Sequence, residues 1–346
     1  MAVILVAGLA QAFAQNQQRL ARPKTVGKPE TISASTITIL TDGIADPQAR
    51  LPQAMRELAA RLNEGGKWRV LPLLGPGGVA NVRDMLYLRG VDLATLNGDI
   101  FAYLALSGLY PEARRRIRYV THLADRKVYL IARKHIASVH ELKKRKVVVL
   151  GEYSGSHVTA RAVFGLLKLD AEFLPLKPDA VLDKTALAGG EAVLLLGRDL
   201  DRLRFDAADW QDLHLLEIPQ TPALAKIYGA AEIQNGEVPG LAAGRPVATV
   251  KTAALLAALD GNAKQYRYQK LSTFVGAFFA ALPELRRHPP ATLWQEANIH
   301  AVISDWQRFR PAERLSKTIP VYSVGRAAAA PPASPPIVAL KPPAPP

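Results

Sequence analysis

Cysteine is absent from all 346 residues. That excludes disulfides, thiolate metal ligation, a cysteine nucleophile and a lipid anchor on an N-terminal cysteine. Long apolar runs are missing too, since no stretch approaches the roughly 18 residues that span a bilayer. Metal-type histidine spacing is also lacking. The seven histidines (122, 135, 140, 157, 214, 288 and 300) form no HExxH and no ligand pair, so no metal and no cofactor is expected. No internal repeat is found. Acidic residues are the scarcer charge, 30 against 44 lysines and arginines, for a net charge of +14.

What is present suffices for a core. Hydrophobic residues make up 49% of the chain, enough for one large domain or two smaller ones. The basic excess concentrates in Arg114–Arg118 and Lys143–Lys146. Neither cluster alternates with aromatics, so nucleic acid is not expected as a partner. Ser138 and Glu141 read as the capping box of a short helix that ends on Lys143, Lys144 and Arg145, where the helix dipole favours cations. The remaining positive field would draw in anionic ligands.

Ala2–Ala10 is apolar, and Ala12-Phe13-Ala14 follows as an A-x-A cleavage site. Residues 1–14 therefore read as a secretory signal peptide, although its usual positive n-region is missing; a buried N-terminal helix is the alternative. Export without a lipid anchor implies a freely diffusing periplasmic protein. Residues 15–33 read as a polar linker, and 324–346, mostly Ala and Pro, as an extended tail that builds no core.

Between these ends strands alternate with helices. Thr36–Thr41 alternates like a strand. Asp46 and Pro47 mark a helix start, and Met55, Leu58, Ala59 and Leu62 keep helical spacing up to Gly65-Gly66. Trp68–Leu74 and Val91–Thr95 are the next strands, with a helix through Asn81, Met85 and Leu86 between them. Such alternation predicts a mostly parallel sheet. Tyr119–Arg133 reads as two long strands. A second series runs through Val147–Leu150, Phe173–Leu176, Ala192–Leu196 and Leu213–Ile218. A strand at Pro246–Val250 and helices over 252–282 and 292–304 complete the pattern.

The most informative stretch is Lys146–Val163, in which an apolar strand meets Gly151 and then Tyr153, Ser154, Gly155 and Ser156 at a helix start. Amide hydrogens and short hydroxyls aimed outward there form a natural anion seat. Ser154 also invites a hydrolase reading. It stands one place late for G-x-S-x-G, however, and His157, three residues on, does not by itself set up triad geometry. The glycine loop Gly75–Gly78 lacks dinucleotide-binding spacing and carries Pro76; a ligand-facing loop with Asn81 and a plain tight turn both fit it. Asp46 is best explained as a cap, whereas capping and ligand contact fit Asp99 equally. Thr41–Gly43, Gly75–Asn81 and Asn97–Asp99 lie at strand C-terminal ends in one lobe, and Ser154–Thr159 lies at such an end in the other. Ligands of open α/β sheets bind there. Two facing lobes would make a cleft that closes by hinge motion.

With these segments in order the chain resembles the TAXI family, the solute receptors of TRAP transporters. The similar segments are Leu74–Asp99, Ile117–Leu150, the helix start GEYSGSHVTARAVFGLL, Gly189–Gly197 and Ile227–Ala254. The resemblance implies an α/β chain with the type II periplasmic-binding-protein fold, two lobes joined by a hinge around a central ligand cleft. Residues 34–121 plus 232–323 would form lobe 1 and residues 122–231 lobe 2. It further implies non-enzymatic capture of a small organic anion, commonly a carboxylate, for a TRAP-type membrane permease. By position, the family's Gly-Ser-x-x-Asn loop falls on Gly77–Asn81, its Gln-Ser-Asp turn on Asn97–Asp99 and its Ser-Gly-Thr loop on Ser154–Ser156. Ligand contacts are therefore expected from Asp42, Gly43, Gly78, Asn81, Asn97, Asp99, Tyr153, Ser154, Ser156, His157 and Thr159. The chain departs from the family in its first loop, Thr41–Asp46, and at Gly78-Val79, where the family has Gly-Ser. Those departures leave open a degenerate receptor acting as a sensory or scaffold subunit.

Overall fold

The computed structural model describes residues 36–42, 50–177, 180–183, 187–238, 240–241, 244–287 and 292–320. The expected signal peptide, linker, Asp46 cap, Gly43 contact and Ala/Pro-rich tail lie outside these residues. Strands β1 (Thr36–Asp42), β2 (Arg69–Gly75) and β3 (Leu93–Asn97) alternate with helices α1 (Arg50–Asn63), α2 (Gly78–Tyr87) and α3 (Ile100–Ser107). The long β4 (Ile117–Arg133) follows, then β5 (Lys146–Leu150), α4 (Gly155–Leu166), β6 (Glu172–Leu176), β7 (Ala192–Leu196), β8 (Leu213–Leu215) and β9 (Gly229–Ile233). The chain closes with β10 (Val247–Leu259), α5 (Tyr266–Leu285) and α6 (Arg310–Thr318).

The sheet runs β2-β1-β3-β10-β4-β7-β5-β6, with β8 added to β4 and β9 to β10. β1, β2 and β3 are mutually parallel, and β10 is antiparallel to β3. The second half repeats the plan, with β6, β5 and β7 parallel and β4 antiparallel to β7. β4 and β10 pair with each other from Leu259↔Ile117 to Lys251↔Lys127 and so belong to both halves. β10 exchanges β9 for β3 around the pair Thr252↔Arg126, and irregularities at Ala254/Leu255 and Leu256/Ala257 bend the ribbon close by. Two lobes joined by two crossing strands constitute the type II periplasmic-binding-protein fold.

Two expectations from periodicity are corrected. Tyr119–Arg133 is one strand, because no turn residue interrupts it and each half finds partners in a different lobe. Residues 252–259 are strand rather than helix, and the long helix begins only at Tyr266. The run TAALLAAL is apolar at every position but one, a pattern that suits a strand buried on both faces as well as a helix. Leu255, Leu256, Ala257 and Ala258 are all fully buried. The Ser138 capping box is also absent: that turn is a 3-10 helix without a side-chain cap, and Glu141 instead accepts from the Ala137 amide at 3.1 Å.

Apolar side chains pack on both faces of each lobe. α1 and α5 cover one face of the first, with Phe274, Phe278 and Trp294 at its centre. The cores are not fully separate. Val158 of α4 packs into the first lobe's cluster around Ile100 and Phe101, and Ala102 of α3 packs against the second lobe's. No helix among the described residues is long and apolar enough to cross a membrane.

Candidate functional site

The lobes meet along the C-terminal edges of their parallel strands, with Asp42 ending β1, Asn97 ending β3 and Gly151 following β5. Gly77 caps α2 with a left-handed φ of 83°, and Gly78 follows at 47°, conformations that favour glycine. Asn81 is a buttress for this turn. Fully buried, it accepts from the Gly77 amide at 3.2 Å and donates to the Thr95 carbonyl at 3.2 Å.

Across the seam, Ser154 caps α4. Its Oγ accepts from the His157 amide at 3.2 Å and donates to the Leu150 carbonyl, the bonds of an N-cap rather than of an activated nucleophile. Tyr153 adopts a φ of 60°, uncommon for a residue with a side chain. That conformation turns its carbonyl toward α2, where it accepts from the Val79 amide at 3.3 Å. A Cβ on Gly78 would collide with that carbonyl. The Tyr153 amide donates to His157 Nδ1 at 2.9 Å. His157 is 8% exposed among Tyr103, Tyr153 and Phe173, and burial, helped by Arg161, lowers its pKa to about 4.

Ser156 donates to the Asp199 carboxylate, which also accepts from the Leu196 amide at 3.0 Å. Thr159 donates to Asp99 Oδ2 at 2.6 Å, and Tyr228 donates to the same oxygen at 2.8 Å. Asp99 is fully buried, and Oδ1 has no hydrogen-bond partner among the described residues. Burial raises the pKa of Asp99 despite these two donors, and burial with the Asp99 charge raises that of Tyr228. Asp99 begins α3 without capping it. It is a bolt between lobes.

Arg126 stands on β4 opposite Thr252 of β10. Its Nη1 donates to Asn97 Oδ1 at 2.9 Å and stands 3.8 Å from Asp42 Oδ2, while Asn97 Nδ2 reaches the Gly155 carbonyl at 3.4 Å. The Asp42 side chain, 29% exposed, nestles against the first residues of α2 and α4. Burial raises its pKa, Arg126 opposes that, and nearby Asp199 reinforces it. Of the residues expected from sequence, Asp42 and Asn97 stand beside Arg126, while Gly78, Tyr153 and Ser154 meet one another across the seam. Asn81, Asp99 Oδ2, Ser156, His157 Nδ1 and Thr159 bond to neighbouring protein. Arg126, Asp199 and Tyr228 escaped the sequence reading. The charged Asp125-Arg126-Lys127 run in the middle of this long strand was the available signal for the first; none marked the others.

No family model matches the sequence, and no curated protein is similar to it in sequence. Solved structures that it is similar to include XAC2383 from Xanthomonas citri bound to chloride, at 14% identity, 82% of this chain, all of that one and a TM-score of 0.41. A structure described as a periplasmic transporter is 12% identical over 82% of this chain and 93% of its own, with a TM-score of 0.42. The aliphatic sulphonate binding protein SsuA from Escherichia coli is 14% identical over 74% and 75%, with a TM-score of 0.39. Likeness at this level carries no argument about ligand or partner.

Proposed function

We propose that the protein is an extracytoplasmic, non-enzymatic receptor that closes its two lobes over one small organic anion, a carboxylate, and hands it to a TRAP-type membrane permease. One observation carries the reading. The Arg126 guanidinium lies at the strand crossing, beside Gly155 at the start of α4 and 3.8 Å from the Asp42 carboxylate, which packs against the Gly77 cap of α2. A guanidinium and two helix N-termini converging on one place suit a planar anionic head. The net charge of +14 would favour its approach. Resemblance to TAXI receptors supports the permease and the export route.

Thermal melting against a panel of small carboxylates tests the proposal. A binder should raise the melting temperature with concentration by mass action, and Arg126→Ala should remove the response. Flat curves across the panel would overturn it. The degenerate-receptor alternative draws on the closed seam of Asp99, Thr159 and Tyr228; capture of a membrane sensor protein by a chain that binds no carboxylate would favour it.

A further inference from the structure

The cleft already contains a carboxylate. A Cβ at Gly77 would run into the Asp42 carboxylate, and one at Gly155 would lie 3.5 Å from Asp42 Oδ2 and 3.4 Å from Arg126 Nη1. Asp42 therefore sits between the glycine that caps α2 and the glycine that opens α4, with the guanidinium 3.8 Å from Oδ2. Nothing in β1 demands this placement, because the strand ends at Asp42 and its ladder partner Gly75 has no side chain to meet.

We infer that Asp42 is a resident anion: its carboxylate holds the seat between the α2 and α4 starts and Arg126, so that a solute's anionic head binds only by displacing it. The inference rests on the receptor reading above and assigns Asp42 the role of an internal competitor, setting both affinity and charge preference. A group tethered to the protein competes at an effective concentration of roughly millimolar. A solute must outbid that concentration as well as lose its own water.

Charge selectivity follows. Asp199 and Arg202 also act on Asp42, in opposite senses. With Asp42 displaced but still nearby, its charge and that of Asp199 remain to oppose an incoming anion. A singly charged head is then tolerated better than a dianion. Removing Asp42 should relax that preference, with succinate gaining more than acetate.

The test is calorimetric titration of acetate and succinate, at ionic strength matched with sodium chloride, into wild type, Asp42→Ala, Asp42→Asn and Asp199→Asn. Asp42→Ala is expected to bind acetate at least ten-fold more tightly than wild type and succinate more tightly still. Asp42→Asn keeps a side chain of the same shape without the charge; it is expected to fall between the two and carries the test if the alanine variant does not fold. Asp199→Asn removes a charge without vacating the seat and should gain less than three-fold. If wild type binds these anions and Asp42→Ala binds them no better, the inference fails while the receptor reading stands. Equal gains in Asp42→Ala and Asp199→Asn also overturn it, since bulk charge would then be the cause. Silence from every protein would overturn both.

Discussion

The hydroxyl of Thr159, on the second turn of α4, donates to the carboxylate of Asp99 at the start of α3, 2.6 Å away across the seam between the lobes. Tyr228 donates to the same oxygen from a third segment. Two hydroxyls far apart in sequence thus share one buried carboxylate oxygen, and the lobes are held where their apolar surfaces already interlock through Val158 and Ala102.

Removing either donor leaves that carboxylate short of a partner in a dry place. Thr159→Val and Tyr228→Phe should each cost about 1–3 kcal/mol in urea unfolding. Because they share Asp99, the double variant should depart from additivity by at least about 0.5 kcal/mol. Losses that simply add, or none at all, would show that the carboxylate does not couple the lobes.

Gly78→Ala should wedge the lobes apart. The position has a φ of 47°, and a Cβ there meets the Tyr153 carbonyl, which is backbone and cannot swing away. Left-handed strain alone costs about 1–3 kcal/mol. Small-angle scattering should report a larger radius of gyration for the variant. An unchanged radius together with unchanged stability would contradict the close approach.

Asp92 is 6% exposed and accepts from Lys270 Nζ at 2.8 Å and from the Thr38 amide at 3.2 Å. Lys270→Met strands that carboxylate, a change that costs about 3–5 kcal/mol when no second cation is near. Arg267, 3.7 Å from the other oxygen, should hold the loss to the lower end of that range. The double variant Asp92→Asn, Lys270→Met should recover part of it. Chemical unfolding measures both, and a silent Lys270→Met would refute the buried pairing.

His157 gives the fold an acid-sensitive point. Its pKa falls from 6.5 to about 4 because it is buried and because the Arg161 charge lies nearby. A depressed native value means that the unfolded chain binds the proton first, so this contribution is complete above pH 6.5 and is lost as pH falls toward 4. The loss across that window is about 3 kcal/mol. His157→Gln should flatten the pH dependence of the melting temperature there; an equally steep profile would place the titration elsewhere.

Local order was largely legible in the residues. Apolar spacing and turn residues foretold β1, α1, β2, α2, β3 and most of the second series, because short runs bounded by turn signals mark each element and neighbours along the chain are neighbours in space. The loops at the strand ends were legible as well, since glycines, hydroxyls and short polar residues collect there. The β10 segment was not, because an apolar run buried on both sides carries no period. The partners of Asp99 were not legible either: its bonds to Thr159 and Tyr228 span 60 and 129 residues.

Sequence by itself determined that this is an α/β chain without disulfides, strongly basic, with helix starts poised at strand ends, since these are properties of composition and of neighbouring residues. Only tertiary structure decided that β4 and β10 thread both lobes, that Arg126 stands beside the start of α4, and that Asp42 lies 3.8 Å from it. The physical reason is that the electrostatics of a cleft depend on which charges the crossing strands bring within a few ångströms, and no local pattern encodes that distance.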